Sequence, residues 1–361
     1  MVFSNEQCSV SGEDKRPSDQ SVWTSPLLRG PPDKQAIGSK ATDRPPVALT
    51  VLQAYDRVPH VLNSSIKPGE SPQPLGAAGA TWASFAQLIR LPNQSGTLLL
   101  MLPTWWALML ASHGRPPLML MAVFAVGAFL MRSAGVAIND WADRRIDREV
   151  ARTRNRPLAS GILGAWDAAC AIAILLACAA ALLLMLPPLA MALSPLAVML
   201  AAAYPFSKRV IALPQVILGL AFGWGVIMAW AAVRNTVEGP AWLIYLATVC
   251  WAVGYDTIYA LQDREDDRRI GVKSSAVWLG TNAWLAVACA FSLMLGCLAL
   301  SGLVIGLGLV FYGTLAAVGG FLSQQVVAVR RKVDAARAFA LFRQHVWVGW
   351  AILGAIWAGF L

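Results

Sequence analysis

The chain has 361 residues, of which 57% are hydrophobic and 14% charged, with a formal net charge of +9. A soluble domain carries closer to about a quarter charged residues, so most of this polypeptide lacks the polar surface that folding in water requires. A basic face for nucleic acid would need a soluble surface to sit on, and the composition leaves no room for that class of function.

Residues 1–80 differ in composition from the rest of the chain. They are rich in Ser, Pro, Gly and charge, with eight acidic against eight basic residues. They hold no apolar run long enough for a signal peptide, and an organelle presequence would be acid-poor. Too little apolar surface is available to offset the entropy of ordering. The expectation is a disordered polar extension over 1–80, with a start codon assigned too early as an equally simple account, and a single membrane domain over 81–361.

Within that domain apolar runs recur at lengths that match the about 20 residues needed to cross a ~30 Å hydrocarbon core. Nine spans are expected, near 88–111, 117–139, 165–187, 189–206, 213–233, 241–262, 280–300, 302–323 and 344–361, which defines an all-α polytopic membrane protein. The fourth is interrupted by Pro187, Pro188 and Pro195. Seventeen Lys and Arg residues fall in the loops after even-numbered spans, against Arg115 and Arg234 alone in the alternate loops. The positive-inside rule then puts the N-terminus and the even-numbered span ends in the cytoplasm. Cys170, Cys178, Cys250, Cys289 and Cys297 lie in apolar spans with no CxxC pairing, and they read as small buried hydrophobes.

Two of those cytoplasmic ends are acidic. Span two runs into Asn139-Asp140-Trp141-Ala142-Asp143-Arg144-Arg145-Ile146-Asp147, and span six into Asp263-Arg264-Glu265-Asp266-Asp267. Asp140, Asp143 and Asp147 are spaced i, i+3, i+7, and Asp263 and Asp267 i, i+4, so a helix would present each set on one face. A lone acidic run after a span reads as a solvated loop; two on the same side with the same periodicity point to chemistry. Carboxylate oxygens in two facing arrays suit Mg²⁺ that keeps open positions for phosphate oxygens, and hence a diphosphate substrate at a membrane surface. The recurrence of the acidic end suggests a weak repeat of two four-helix units plus a ninth helix, with a site between the halves.

Cations beside the clusters, Arg132, Arg144, Arg156, Lys208, Arg209 and Lys273, could bind diphosphate oxygens, arginine as a bidentate fork. Arg132 stands inside span two and requires either a structural partner or an anionic ligand. Tyr204, Phe206, Trp141, Tyr255 and Tyr259 could shield an allylic cation, or could simply pack. Asp256 continues the face of Tyr259 and Asp263 about 10 Å toward the membrane at 1.5 Å per residue. It would orient an acceptor or receive its proton, or be a hydrogen-bonded structural acid.

These residues resemble a known family. Asn139-Asp140-x-x-Asp143-x-x-x-Asp147 with Arg152-x-x-x-Arg156-Pro157-Leu158-Ala159-Ser160-Gly161 is similar to the first signature of the UbiA superfamily of intramembrane prenyltransferases. Tyr255-Asp256-Thr257-x-Tyr259-Ala260-x-x-Asp263-x-x-Asp266-Asp267 with Gly271-x-Lys273-Ser274 resembles the second. Met131-Arg132-Ser133-Ala134-Gly135, Tyr204-Pro205-Phe206-x-Lys208-Arg209 and Leu213-Pro214-Gln215 are closest to the 4-hydroxybenzoate polyprenyltransferase branch. The resemblance covers about residues 85–361.

It implies Mg²⁺-dependent transfer of a polyprenyl group from polyprenyl diphosphate to the 3-position of 4-hydroxybenzoate, in ubiquinone biosynthesis. A bacterial inner membrane is expected, with the site on the cytoplasmic side as the loop charges require; association with other quinone-pathway enzymes is left open. Asn139, Asp140, Asp143, Asp147, Asp263 and Asp267 would serve the metal and diphosphate, and Arg209 or its neighbour Lys208 the acceptor carboxylate. The chain departs from the family at Arg90-Leu91-Pro92-Asn93-Gln94-Ser95-Gly96-Thr97, where an acidic-basic-Pro stretch is usual, so the resemblance carries no anion contact over to the first span, while Thr104-Trp105-Trp106 nearby fits. A sister enzyme acting on a naphthoate, heme or chlorin is the alternative within the family. An organic-anion transporter is the alternative outside it, although transporter acids sit nearer the midplane.

Overall fold

The computed structural model describes residues 77–150, 153–207, 211–270 and 274–361. The expected extension lies outside the described residues as far as residue 76. Every regular element described is helical: α1 Ala77–Leu88, α2 Ser95–Ala111, α3 Leu118–Asp143, α4 Ala165–Leu183, α5 Pro188–Ser207, α6 Pro214–Arg234 and α7 Gly239–Ala260 come first. A 3₁₀ turn over Leu261–Asp263, the short α8 Arg264–Ile270 and α9 Ser275–Leu279 follow, and then α10 Ala283–Ile305, α11 Leu309–Arg330 and α12 Ala335–Ala358. Eight of these helices are long and apolar enough to cross a membrane, and α2 is a shorter apolar ninth. This is the all-helical, multi-pass architecture expected, including the proline-interrupted α5, which stays helical through Pro195 and Pro205.

Span ends differ from expectation where local chemistry overrides hydropathy. The first span starts at Ser95 and not near 88, because Arg90 adopts the left-handed region (φ 56°) and Pro92 follows. α10 runs to Ile305, where Gly306 closes it at φ 84°. α11 consequently begins at Leu309. α12 begins at Ala335 because the Asp334 side chain accepts from the Arg337 N–H at 2.7 Å, a cap that hydropathy does not register.

Helices pack in chain order around a closed ring. α7 lies against α6, α10 and α12, and α2 against α3, α6 and α12. Burial ranks them: 61% of the most apolar 18 residues within Gly239–Arg269 are buried but only 6% of those in α4, so α7 is the most enclosed and α4 the most outward-facing. The centre is aromatic. Trp106 donates its indole N–H to the Gly349 carbonyl at 3.0 Å and packs on Trp251 with centroids 5.0 Å apart. Trp251 donates to His345 Nδ1 at 2.9 Å. Gly349 is required there, since a Cβ would fall 2.6 Å from a Leu102 methyl. In hydrocarbon the driving force between helices is this close packing and internal hydrogen bonding.

One consequence concerns stability. His345→Leu removes the acceptor of a buried indole N–H and should cost about 1–3 kcal/mol, read as a lower melting temperature in detergent. Adding Trp251→Phe, which removes the orphaned donor, should recover part of the loss. An unchanged melting temperature for His345→Leu would contradict the assignment.

Candidate active site

α3 is 26 residues long, about 39 Å at 1.5 Å per residue, and so overruns a ~30 Å hydrocarbon core. Its last turn therefore carries Asn139, Asp140 and Asp143 to the rim, and a further turn (Asp147 N–H to Asp143 carbonyl, 2.9 Å) keeps Asp147 in register. α7 ends at Ala260 and tightens into the 3₁₀ turn before α8, which delivers Asp263 and Asp267. Both clusters line one cavity of about 790 Å³. Asp256, Tyr255, Tyr259, Arg132, Arg156 and Tyr204 line it too. The expected face Asp256–Tyr259–Asp263 is thus a cavity face.

Other candidates fall elsewhere. Arg144 does not line the cavity; its guanidinium donates to the Trp141 carbonyl at 2.6 Å and lies 5.2 Å from that ring's centroid. Lys208, Arg209 and Lys273, expected to meet the acceptor or the diphosphate, lie outside the described residues.

Asp140 is only 2% exposed and accepts from two guanidinium groups. Arg90 Nη2 reaches both its oxygens, at 3.1 and 2.8 Å, and Arg156 Nη1 reaches Oδ1 at 2.9 Å. Arg156 Nη1 also donates to Asp147 Oδ2 at 2.9 Å, so one guanidinium bridges two acids. Arg156 is positioned by the folded-back segment after α3, whose Leu158 and Leu163 are buried against Leu88 of α1. Burial pushes the Asp147 carboxyl above the usual carboxylate range and Arg156 pulls it back, while the nearby Asp140 adds to the rise.

Arg90 was not among the expected site residues, and the resemblance carried no anion contact over to this part of the chain. The left-handed turn after α1 aims Arg90 at Asp140 and into the cavity. The available signal was a lone cation seven residues ahead of Thr97, but its partner is fifty residues away. Phe339 and Phe342 of α12 were also missed. They line the cavity, with Phe342 4.8 Å from the Tyr259 ring.

Deeper in the wall, Arg132 lies over Gly96, where a Cβ would fall 2.5 Å from its Nε. Among the described residues that buried Nε has no hydrogen-bond partner, so it is a donor that a molecule in the cavity could satisfy. Gln215 donates to Ser275 Oγ beside it in the lining, joining the start of α6 to α9.

The donors available to a metal, Asn139, Asp143, Asp147, Asp263 and Asp267, are hard oxygens on two sides of the cavity. Among the described residues they form no cluster of three converging His, Cys, Asp or Glu side chains. Such a split set fits Mg²⁺ that completes its octahedron with oxygens of a bound substrate.

A cavity with a carboxylate-and-arginine rim and an apolar, aromatic body inside a helical bundle is what a membrane transferase of anionic-headed lipids requires. Residues 100–353 match the UbiA prenyltransferase family, and the chain belongs to that family. It is 42% identical over 279 residues to a 4-hydroxybenzoate octaprenyltransferase of Cupriavidus metallidurans, covering 77% of this chain and 95% of that one. A UbiA homologue from Aeropyrum pernix K1 has the same fold, with a TM-score of 0.62 at 26% identity over 72% of this chain and 96% of that chain. A UbiA homologue from Archaeoglobus fulgidus bound to GPP and Mg²⁺ shares the fold at 15% identity, with a TM-score of 0.55 over 76% of this chain and 99% of that one. The protein is a multi-pass membrane prenyltransferase.

Proposed function

We propose that the protein transfers a polyprenyl group from polyprenyl diphosphate to the 3-position of 4-hydroxybenzoate, releasing diphosphate, with Mg²⁺, as a step of ubiquinone biosynthesis. The observation that carries this reading is the single cavity holding both acidic clusters at one end and an apolar, aromatic body behind them. The acceptor named for the Cupriavidus relative, at 42% identity, supports the choice of 4-hydroxybenzoate. The bacterial relatives support a bacterial inner membrane, and the loop charges support a cytoplasmic position for this rim.

Asn139, Asp143 and Asp147 on one side and Asp263 and Asp267 on the other would hold Mg²⁺, as would Asp140 on the simplest reading of the motif. When bound, the metal supplies charge neutralisation for the departing diphosphate. The chain's own residues do the rest. Arg90 and Arg156 can donate to diphosphate oxygens from the rim. Tyr255, Tyr259, Phe339 and Phe342 keep water from the allylic carbon and offer ring faces to its positive charge. The acceptor is itself an anion and needs a cation that the metal does not supply. Arg209 and Lys208 were expected to meet that need; among the described residues Arg132 meets it, through a buried Nε with no partner in the cavity wall. Gripping the carboxylate there would turn the carbon beside the hydroxyl toward C1 of the prenyl group. The Asp256 carboxylate can take the proton that this ring carbon loses.

The direct test is mass spectrometry of products from purified protein given 4-hydroxybenzoate, mixed prenyl diphosphates and Mg²⁺, where a prenylated hydroxybenzoate is expected. Asp143→Asn and Asp263→Asn should each lower turnover by about 10² or more with insertion intact, and EDTA should abolish it. Full turnover in EDTA would sink the metal assignment.

Arg132→Ala should raise the KM for 4-hydroxybenzoate far more than that for the prenyl donor, and Gly96→Ala, which crowds the guanidinium, should do so more mildly. Equal effects on both substrates would contradict the acceptor role.

Of the extension expected over 1–80, residues 1–72 are proposed to be dispensable, since α1 begins at Ala77. A chain starting at Gln73, where the compact unit Gln73–Leu361 begins, should keep its turnover in membranes, because α1 and the Arg90 turn remain whole. Loss of activity despite normal insertion would assign the extension a part in the site.

A further inference from the structure

The end of the bundle opposite the acidic rim has a cavity of its own. It encloses about 290 Å³ and is lined by residues from the end of α2, the end of α6, the start of α7 and the end of α10. The 22 residues of α7, about 33 Å at 1.5 Å per residue, separate its Glu238 from Asp263 on the rim. Its volume lies near the lower limit of ligand pockets, about 300 Å³. None of its residues takes part in prenyl transfer as proposed above.

Trp230, Arg234 and Glu238 give this cavity its polar side. Trp230 and Arg234 are four residues apart and so share one face of α6. Asn235 then adopts the left-handed region (φ 53°) and ends the helix, and Glu238 stands at the N-cap of α7. Arg234 Nε and Glu238 Oε1 form a loose pair at 3.5 Å, with the side chains 44% and 37% exposed. Each charge is already well placed by its own helix, the cation at a C-terminus and the acid at an N-terminus, so parting them costs little. Arg234 Nη1 and Nη2 have no acceptor among the described residues. Trp230 is 3% exposed, and its indole N–H has no acceptor among the described residues either. An enclosed N–H without an acceptor is unfavourable and rare, and an acceptor oxygen brought into the cavity would relieve it. His113, the remaining polar residue of the lining, packs against the Phe360 ring with centroids 5.8 Å apart.

The other side is apolar. Leu110 and Ile305 line it, and Val304 continues onto an outward face with Leu303, Leu309 and Val310, all 59–87% exposed. On a membrane-spanning helix such a face meets lipid chains, which favours a lipid over a soluble anion as the occupant.

From this arrangement we propose that the cavity binds the headgroup of a phospholipid carrying a primary amine, taken from the leaflet opposite the acidic rim. The phosphate accepts from Arg234 and from the Trp230 indole, the ammonium donates to the Glu238 carboxylate, and the acyl chains lie along Leu303, Val304 and Leu309. A zwitterionic headgroup thereby exchanges one loose ion pair for two and leaves no charge unpaired. An anionic headgroup would take Arg234 and strand Glu238. A choline headgroup has no N–H for that carboxylate to accept.

The test is native mass spectrometry of the purified full-length protein, released from micelles that contain equal amounts of phosphatidylethanolamine, phosphatidylcholine and phosphatidylglycerol with matched chains. Phosphatidylethanolamine adducts should exceed either of the others about fivefold or more. Arg234→Gln should cut that adduct about fivefold. Glu238→Gln should bring it down to the phosphatidylcholine level, because only the ammonium contact distinguishes the two lipids. Trp230→Phe keeps an aromatic ring and should lower the adducts of both alike. Phosphoethanolamine without acyl chains, added at the same concentration, should displace none of the lipid.

Equal retention of the three lipids by the unmodified protein would overturn the proposal, as would an ethanolamine preference that survives both Arg234→Gln and Glu238→Gln. Displacement by free phosphoethanolamine would overturn the lipid as the source of the headgroup. If Trp230→Phe fails to fold, judged by its melting curve, the two substitutions at exposed charges carry the comparison.

Discussion

Two carboxylates, Asp140 and Asp147, are buried to 2% and 8% exposure at the end of a membrane helix, and a single guanidinium nitrogen of Arg156 touches both. Enclosing a lone carboxylate costs several kcal/mol even after relaxation. Arg156 and Arg90 offset that cost, and in doing so they tie together parts of the chain that also meet in the buried cluster around Leu88. The turn after α1, the end of α3 and the segment that returns toward α4 meet at these ion pairs. Breaking one partner would leave an uncompensated buried charge, so the rim of the cavity holds its form only while the network is whole.

That rim gives the cavity its polarity. Acids and arginines crowd one end, and behind them the walls are apolar and aromatic, with Arg132 also in the lining. In a low-dielectric setting these few charges act strongly and with little screening. An anionic head is held where cations gather, and a carbocation formed beside it meets ring faces in place of water. The aromatic centre of Trp106, Trp251 and His345 lies outside this chemistry and supports it, by fixing α2, α7 and α12 to one another so that Phe339, Phe342, Tyr255 and Tyr259 form a continuous wall.

Much of this could be read from the sequence, because helical periodicity is a local property. The spacing of Asp256, Tyr259 and Asp263 was enough to place all three on one face, and the cavity lies against that face. Arg144 shows the limit of neighbourhood as a guide: one residue past Asp143 on a helix turns the side chain by about 100°, and Arg144 faces Trp141 and not the cavity. Arg90 was illegible for a different reason. Its role depends on a left-handed turn and on a partner fifty residues on, and neither leaves a periodic trace. The end of α10 and the start of α12 likewise follow from Gly306 and the Asp334 cap, single residues whose effect a hydropathy average dilutes.

The most direct measurement of the account is anomalous scattering from crystals of the protein grown with Mn²⁺ and a non-hydrolysable prenyl thiodiphosphate. Manganese peaks are expected between the Asn139–Asp143 side and the Asp263–Asp267 side of the cavity, with the diphosphate oxygens within hydrogen-bond reach of Arg90 and Arg156. Manganese bound away from both clusters, or a diphosphate that touches neither arginine, would contradict it.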